Sequence, residues 1–377
     1  MNWTDEFLGH KRTLGDPLAD GVIQKLILEN GEESSRKIFD NLIRNIELPI
    51  DELPAEIQDF MNQTAELPDW FSTKDMEMSN LFFKDHGPKL LLLLYFKSLP
   101  LLYSDVNGAE VLVRTGKLTH QKESTEIFAR RIAETGQFLL MVMANDNFKK
   151  NSVAITTIRK VRLIHAAIRH FIAKQWDDEK LGKPINQEDM ALTLMTFSVS
   201  LIDGLQQLMI RENDALLNAY FERWKAIGLL LGVNPDLIPE NIDEGRILLT
   251  KILERNSGSS EAGILLTQAL VDFSKNTIPG KIFDITPEAL INYFVGTKIS
   301  GYLHVNNQLG CVNFAIPAVL ASIFHLGEHL EGKSTRISHI ADKLSNKLIH
   351  AMVNYFDTYK TKAFEIPAEF QQLWNHS

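Results

Sequence analysis

His165 lies in the segment TTIRKVRLIHAAIRHFI, Thr156 to Ile172, with Arg162 three residues before it and Arg169 four after. On a helix these offsets put the three side chains on one side, and Ala166 and Ala167 leave room beside the imidazole. A neutral imidazole in an apolar slot is the protein ligand that a haem iron needs. Arginine forks on the same helix match the geometry of the two propionates. The same residues also read as a core histidine satisfied by a backbone carbonyl, with its arginines in surface ion pairs. One predicted helix earlier, Arg131, Glu134 and Thr135 share a face at steps of three and four. They form either the distal wall of a ligand pocket, offering a positive charge, a carboxylate and a hydroxyl, or a solvated polar face whose ion pairing is worth little. A second histidine pattern, His325 and His329 in HLGEH, has a spacing that suits a metal ion on a helix. No third ligand is evident nearby, so the simpler reading is a pair of partly exposed histidines.

The elements that must carry these residues are helical by periodicity almost throughout. From Thr125 to Ala144 and from Val153 to Lys174 the apolar residues recur at three- and four-residue steps, one face of a helix each time. Asn186, followed by Glu188 and Asp189, predicts a helix start, with the helix running through LTLMTFSVSLIDGLQQLMI. Asn213 or Asp214 starts the next, and Gly232 stops it. Pro287 opens another, running to about His304, and the last spans Arg336 to Tyr359. The apolar run from Leu90 to Tyr103 is interrupted by Lys97 and Pro100 and is too short to span a membrane, so a buried helix is expected. VLVRTG at Val111 is the best short strand candidate, and a weak one.

Composition narrows the classes. The chain has 377 residues, 45% apolar, with 39 basic against 48 acidic residues and a formal net charge of −9. That allows a large core but lacks the basic footprint of a nucleic-acid binder. The single cysteine, Cys311, excludes an internal disulfide and a thiolate zinc site. No dinucleotide fingerprint, phosphate loop, HExxH or GxSxG elbow occurs. No export leader or transmembrane segment is evident, and a cytoplasmic location is the expectation.

Seven segments stand in order along the chain: GDPLAD from Gly15, LPDWF from Leu67, KSLPLLY from Lys97, RRIAET from Arg130, VRLIHAAIR from Val161, GKPINQEDMALTLMTFS from Gly182 and WKAIGLLLGV from Trp224. This set resembles the latex-clearing protein (rubber oxygenase) family, which also contains the membrane oxygenase of mycophenolic acid biosynthesis. The resemblance implies an all-α fold, one large helical domain with a globin-like haem-binding core and a less regular N-terminal region. Residues 1–75 are then an extension packed on an oxygenase-like domain of residues 76–377. It further implies non-covalent haem b, with His165 as the axial ligand and Arg162 and Arg169 beside it. The family's distal Arg-x-x-Lys-Thr pattern falls on Arg131, Glu134 and Thr135, so a glutamate stands where the family has lysine. The implied reaction is cleavage of a C=C bond by O2, here in a small apolar, isoprenoid or lipid-like substrate. The alternative is a non-catalytic haem or apolar-ligand binder of the same fold.

Overall fold

The computed structural model describes residues 3–44, 49–118, 124–144, 148, 152–208, 210–277 and 287–305. The described residues are helical, and the N-terminal part contributes α1 (Asp5–Lys11), α2 (Pro17–Asn30), α3 (Glu32–Arg44) and α4 (Ala55–Gln63). Then come α5 (Thr73–Leu93), α6 (Leu99–Ser104), α7 (Val106–Leu118), α8 (Ser124–Met143), α9 (Val153–Ile172) and the single turn α10 (Asp178–Leu181). The remainder is α11 (Gln187–Phe197), α12 (Val199–Gln207), α13 (Asp214–Leu230), α14 (Ile242–Asn256), α15 (Glu261–Thr277) and α16 (Pro287–Tyr302). Among the described residues there is no strand, only one isolated bridge between Asp105 and Ser257.

The helix starts follow local chemistry. Side-chain oxygens of Asp16, Ser72, Ser152, Asn186, Asn213 and Asn241 accept from otherwise unpaired amides in the first turns of their helices. Asn186, Asn213 and Pro287 start their helices where the sequence predicts.

Two expectations are corrected and a third is borne out with a local change of pitch. VLVRTG is helical, inside α7, because Asp105 caps that helix through Asn107 N and Gly108 N and because Val111 packs with Ile172 and Trp176 while Val113 is buried in the main core. The run from Leu192 to Ile210 is not one helix. Ser198 (φ −107°, ψ −90°) breaks it between α11 and α12, and the released carbonyls of Thr196 and Phe197 accept from Ser98 Oγ (2.6 Å) and Tyr220 Oη (2.9 Å). The buried run near Leu90 is helical, but it widens to a π-helix at Leu94–Ser98, where Leu99 N donates to Leu94 O. Pro100 follows directly, and a ring that displaces the carbonyl four residues back accounts for the widening. The expected helix at 336–359, His325, His329 and Cys311 lie outside the described residues.

The main core gathers α5, α6, α8, α11 to α13, α15 and α16 around Phe82, Leu93, Tyr220 and Trp224, all buried. A second, smaller core joins α2, α3 and α4 to one side of α9 through Ile23, Phe39, Phe60, Leu163, Ala166 and Ala167. The helix carrying His165 is therefore clasped between the N-terminal helices and the body of the protein. The residue holding the end of α8 is Arg223 of α13. It is fully buried and donates to Val142 O (2.7 Å) and Ala144 O (3.2 Å), a cation on the negative end of a helix.

Candidate functional site

α9 is buried on most of its circumference, and His165 sits two turns from its C-terminus. The imidazole is half-buried, and its Nδ1 is buried without a hydrogen-bond partner among the described residues. Burial depresses its pKa to about 4; the Arg169 cation works in the same direction and the Asp16 carboxylate opposes it. The ring is thus neutral at physiological pH. Among the described residues no backbone carbonyl accepts from Nδ1. An unpaired buried polar atom costs about 1–3 kcal/mol, so its presence asks for a functional explanation.

The two arginines have partners the sequence reading did not name. Arg162 donates from Nε to Asp16 Oδ2 (2.6 Å) and from Nη2 to Asp16 Oδ1 (3.0 Å), a bidentate fork, while Nη1 reaches Leu230 O (3.4 Å). Its guanidinium also lies over the Phe60 ring, 5.5 Å from the centroid. Arg169 donates from Nε to Asp20 Oδ1 (2.8 Å) and from Nη1 to Ile185 O (3.0 Å). Its Nη2 is buried and unpaired among the described residues. One fork is therefore filled, and the other keeps a donor in reserve.

Both acids come from the GDPLAD segment, and its residue types suit the task. Asp16 caps α2, Pro17 occupies the first turn, and Asp20 Oδ2 accepts from Asp16 N (3.1 Å). The other partners come from segments far along the chain. Gln187, the first residue of α11, donates to Gly15 O and Gly232 O (both 2.9 Å) and accepts from Asn234 N (2.6 Å). Gly232 has φ +84°, and a Cβ there would meet Asp16 Oδ2 and, at 2.5 Å, Arg162 Nε. Four of the segments singled out in the sequence, containing Asp16, Arg162, Gln187 and Gly232, thus converge on one buried polar junction behind His165. Spacing could not reveal Asp16, Asp20 and Gln187 as members of it. The only signal was that their segments recur with VRLIHAAIR in the resemblance.

On α8, Glu134 is exposed and Thr135 half-buried. Arg131 lies on the same helix one turn earlier, and its side chain is outside the described ones. A separate buried cluster brings together Arg12, Asp105, Glu188, Asp189 and Arg255. Arg12 Nη1 donates to Glu188 Oε2 (3.1 Å), and Arg255 Nε to Glu188 Oε1 (2.9 Å). Burial raises the carboxyl pKa values of Asp105 and, more strongly, Asp189. Among the described residues no group of three or more His, Cys, Asp or Glu side chains is arranged to hold a metal ion. No described helix is long and apolar enough to cross a membrane.

Comparison with known proteins bears on the family and the fold. The sequence model described as the catalytic domain of the ER-bound oxygenase mpaB/B′ and rubber oxygenase matches residues 89–294. The rubber oxygenase of Streptomyces sp. (strain K30) is 22% identical over 290 residues, which are 72% of this chain and 70% of that protein. The solved structure of the latex clearing protein LCP in the closed state superposes with a TM-score of 0.74 at 19% identity, covering 91% of each chain. At that identity the likeness establishes a shared all-α fold.

Proposed function

The chain belongs to the mpaB/B′ and rubber oxygenase family, and from that premise we propose that it is a haem b-dependent oxygenase that uses O2 to cleave a C=C bond in a small apolar substrate. The observation that carries this reading is His165, a neutral imidazole whose Nδ1 is buried and has no partner among the described residues, on a helix fastened from both sides. The residues fit the cofactor. His165 would be the axial ligand, and Nη2 of Arg169, buried and without a partner among the described residues, is a donor suited to a propionate carboxylate. Arg162, with both fork positions on Asp16, would serve the cofactor through the helix rather than by touching it.

Haem b would supply the dioxygen chemistry, which no side chain of this chain provides. The protein's own contributions are different in kind. Thr135 would donate its hydroxyl hydrogen to a bound ligand, Arg131 would present a positive charge, and Glu134 would accept a proton. The surrounding apolar helices would exclude water. A cytoplasmic setting belongs to the same proposal, and fractionation of cells expressing the tagged full-length chain tests it.

Oxygen uptake by the haem-reconstituted protein tests the reaction. With small unsaturated lipids, uptake and carbonyl products are expected, and Thr135→Ala should lower turnover with haem still bound. Brisk cleavage of polyisoprene to oligomers would overturn the small-substrate assignment. A non-catalytic haem or apolar-ligand binder is the second reading. The observation favouring it is Glu134, an exposed carboxylate where the family pattern carries a lysine. Haem binding without oxygen uptake on any unsaturated lipid would select it.

A further inference from the structure

Of the three arginines of the histidine helix, Arg162 and Arg169, the two that flank His165, are tied to acids at the first turn of α2, about 150 residues away in sequence. The ties differ from ordinary surface pairs. The side chains of Asp16 and Arg162 are 7% and 12% exposed, and those of Asp20 and Arg169 are 25% and 8%. Exposed pairs contribute little, whereas breaking one partner out of a buried pair leaves an uncompensated charge in a medium that screens poorly. Arg162 lies three residues before His165 and Arg169 four after, so any charge left on either acts on the imidazole and on whatever it ligates. The geometry is also rigid. The Asp16–Arg162 fork is bidentate, Gly232 leaves no room for it to slide, and Gln187 ties the backbone on either side of it.

We propose that Asp16 and Asp20 are positioning residues for His165: each clamps one arginine of its helix, and together they fix the bearing of the imidazole and balance the charge beside it. The inference deepens the haem reading above and rests on it. Asp16 also caps α2, so the N-terminal helices and the histidine helix are joined through one carboxylate. Outer partners of this kind ordinarily change cofactor affinity by about 10–100-fold when removed.

The test uses near-isosteric variants of the full chain reconstituted with haem and reads the midpoint potential by spectroelectrochemistry. Asp16→Asn leaves Arg162 uncompensated and should raise the potential. Arg162→Gln leaves Asp16 uncompensated and should lower it. The double variant removes both charges and should return the potential close to wild type. A merely structural ion pair predicts otherwise, since both single changes break the same contact and would act in the same direction. Equal shifts, or no shift with haem still bound through His165, would overturn the proposal. Asp20→Asn, at the more exposed acid, should raise the potential and provides the same test if Asp16→Asn does not fold. Hydrogen exchange on the haem-free protein is a readout independent of the cofactor. Asp16→Asn should speed exchange across 161–169, and unchanged protection there would remove the positioning claim. Failure of wild-type protein to take up haem through His165, with faster exchange still seen in Asp16→Asn, would instead refute the haem reading.

Discussion

His165, the proposed haem ligand, departs from the rules that stabilise its surroundings. Its Nδ1 is buried without a partner among the described residues, which works against folding in the absence of a ligand. His165→Leu should therefore leave the haem-free protein as stable as wild type, or more stable by about 1 kcal/mol, in urea unfolding. A loss of more than about 2 kcal/mol would mean that the imidazole makes a contact essential to the core. Gly232 makes the opposite prediction. Its positive φ and its closeness to the Asp16–Arg162 pair mean that Gly232→Ala should cost about 1–3 kcal/mol in thermal or urea unfolding. The spacing of Arg162, His165 and Arg169 was legible in the sequence because a helix makes neighbours of residues three and four apart. Their acid partners were not, because Arg162 and Asp16 are separated by 146 positions and only tertiary folding unites them.

Among the elements, the helices were readable from period and caps, and the misses have local causes. A continuous apolar period does not reveal a break such as Ser198, whose freed carbonyls are taken by side chains from α5–α6 and α13 rather than by nearby residues. Val111 and Val113 looked like a strand because β-branched alternation is all that a short window displays. In the structure their cap and their burial decide for a helix. Helix α8 depends on a distant residue as well. Arg223 supplies donors to its last carbonyls and to Ser79 Oγ (3.3 Å). Arg223→Leu should destabilise the protein by about 2 kcal/mol or more and increase hydrogen exchange in the last turn of α8. Unaltered exchange there would show that α8 is held by packing alone.

The whole molecule joins an N-terminal helical clasp to a larger helical body, and two buried polar junctions lie along the seam. One stands behind His165. The other surrounds Arg12, where burial raises the carboxyl pKa values of Asp105 and Asp189. An acid whose folded-state pKa is raised contributes stability fully below its unfolded value, near pH 4, and loses it as pH climbs through the folded value. Stability from these two groups should accordingly fall as pH rises. Asp105→Asn, which keeps the acceptor capping α7, should flatten that fall between about pH 5 and 8 in urea titrations. An unchanged slope would show that Asp105 is ionised in the folded protein. The family was legible in the ordered segments, because several of them build the junction that fastens α9. The substrate was not, because apolar packing identifies no particular alkene. The central claim is that His165 ligates haem b, and the absorption spectrum of purified protein reconstituted with haem tests it most directly. The account predicts a Soret band of stoichiometric haem that is lost or displaced in His165→Ala while far-ultraviolet circular dichroism is retained. A wild-type protein that takes up no haem, or a His165→Ala protein with an unaltered haem spectrum, would contradict it.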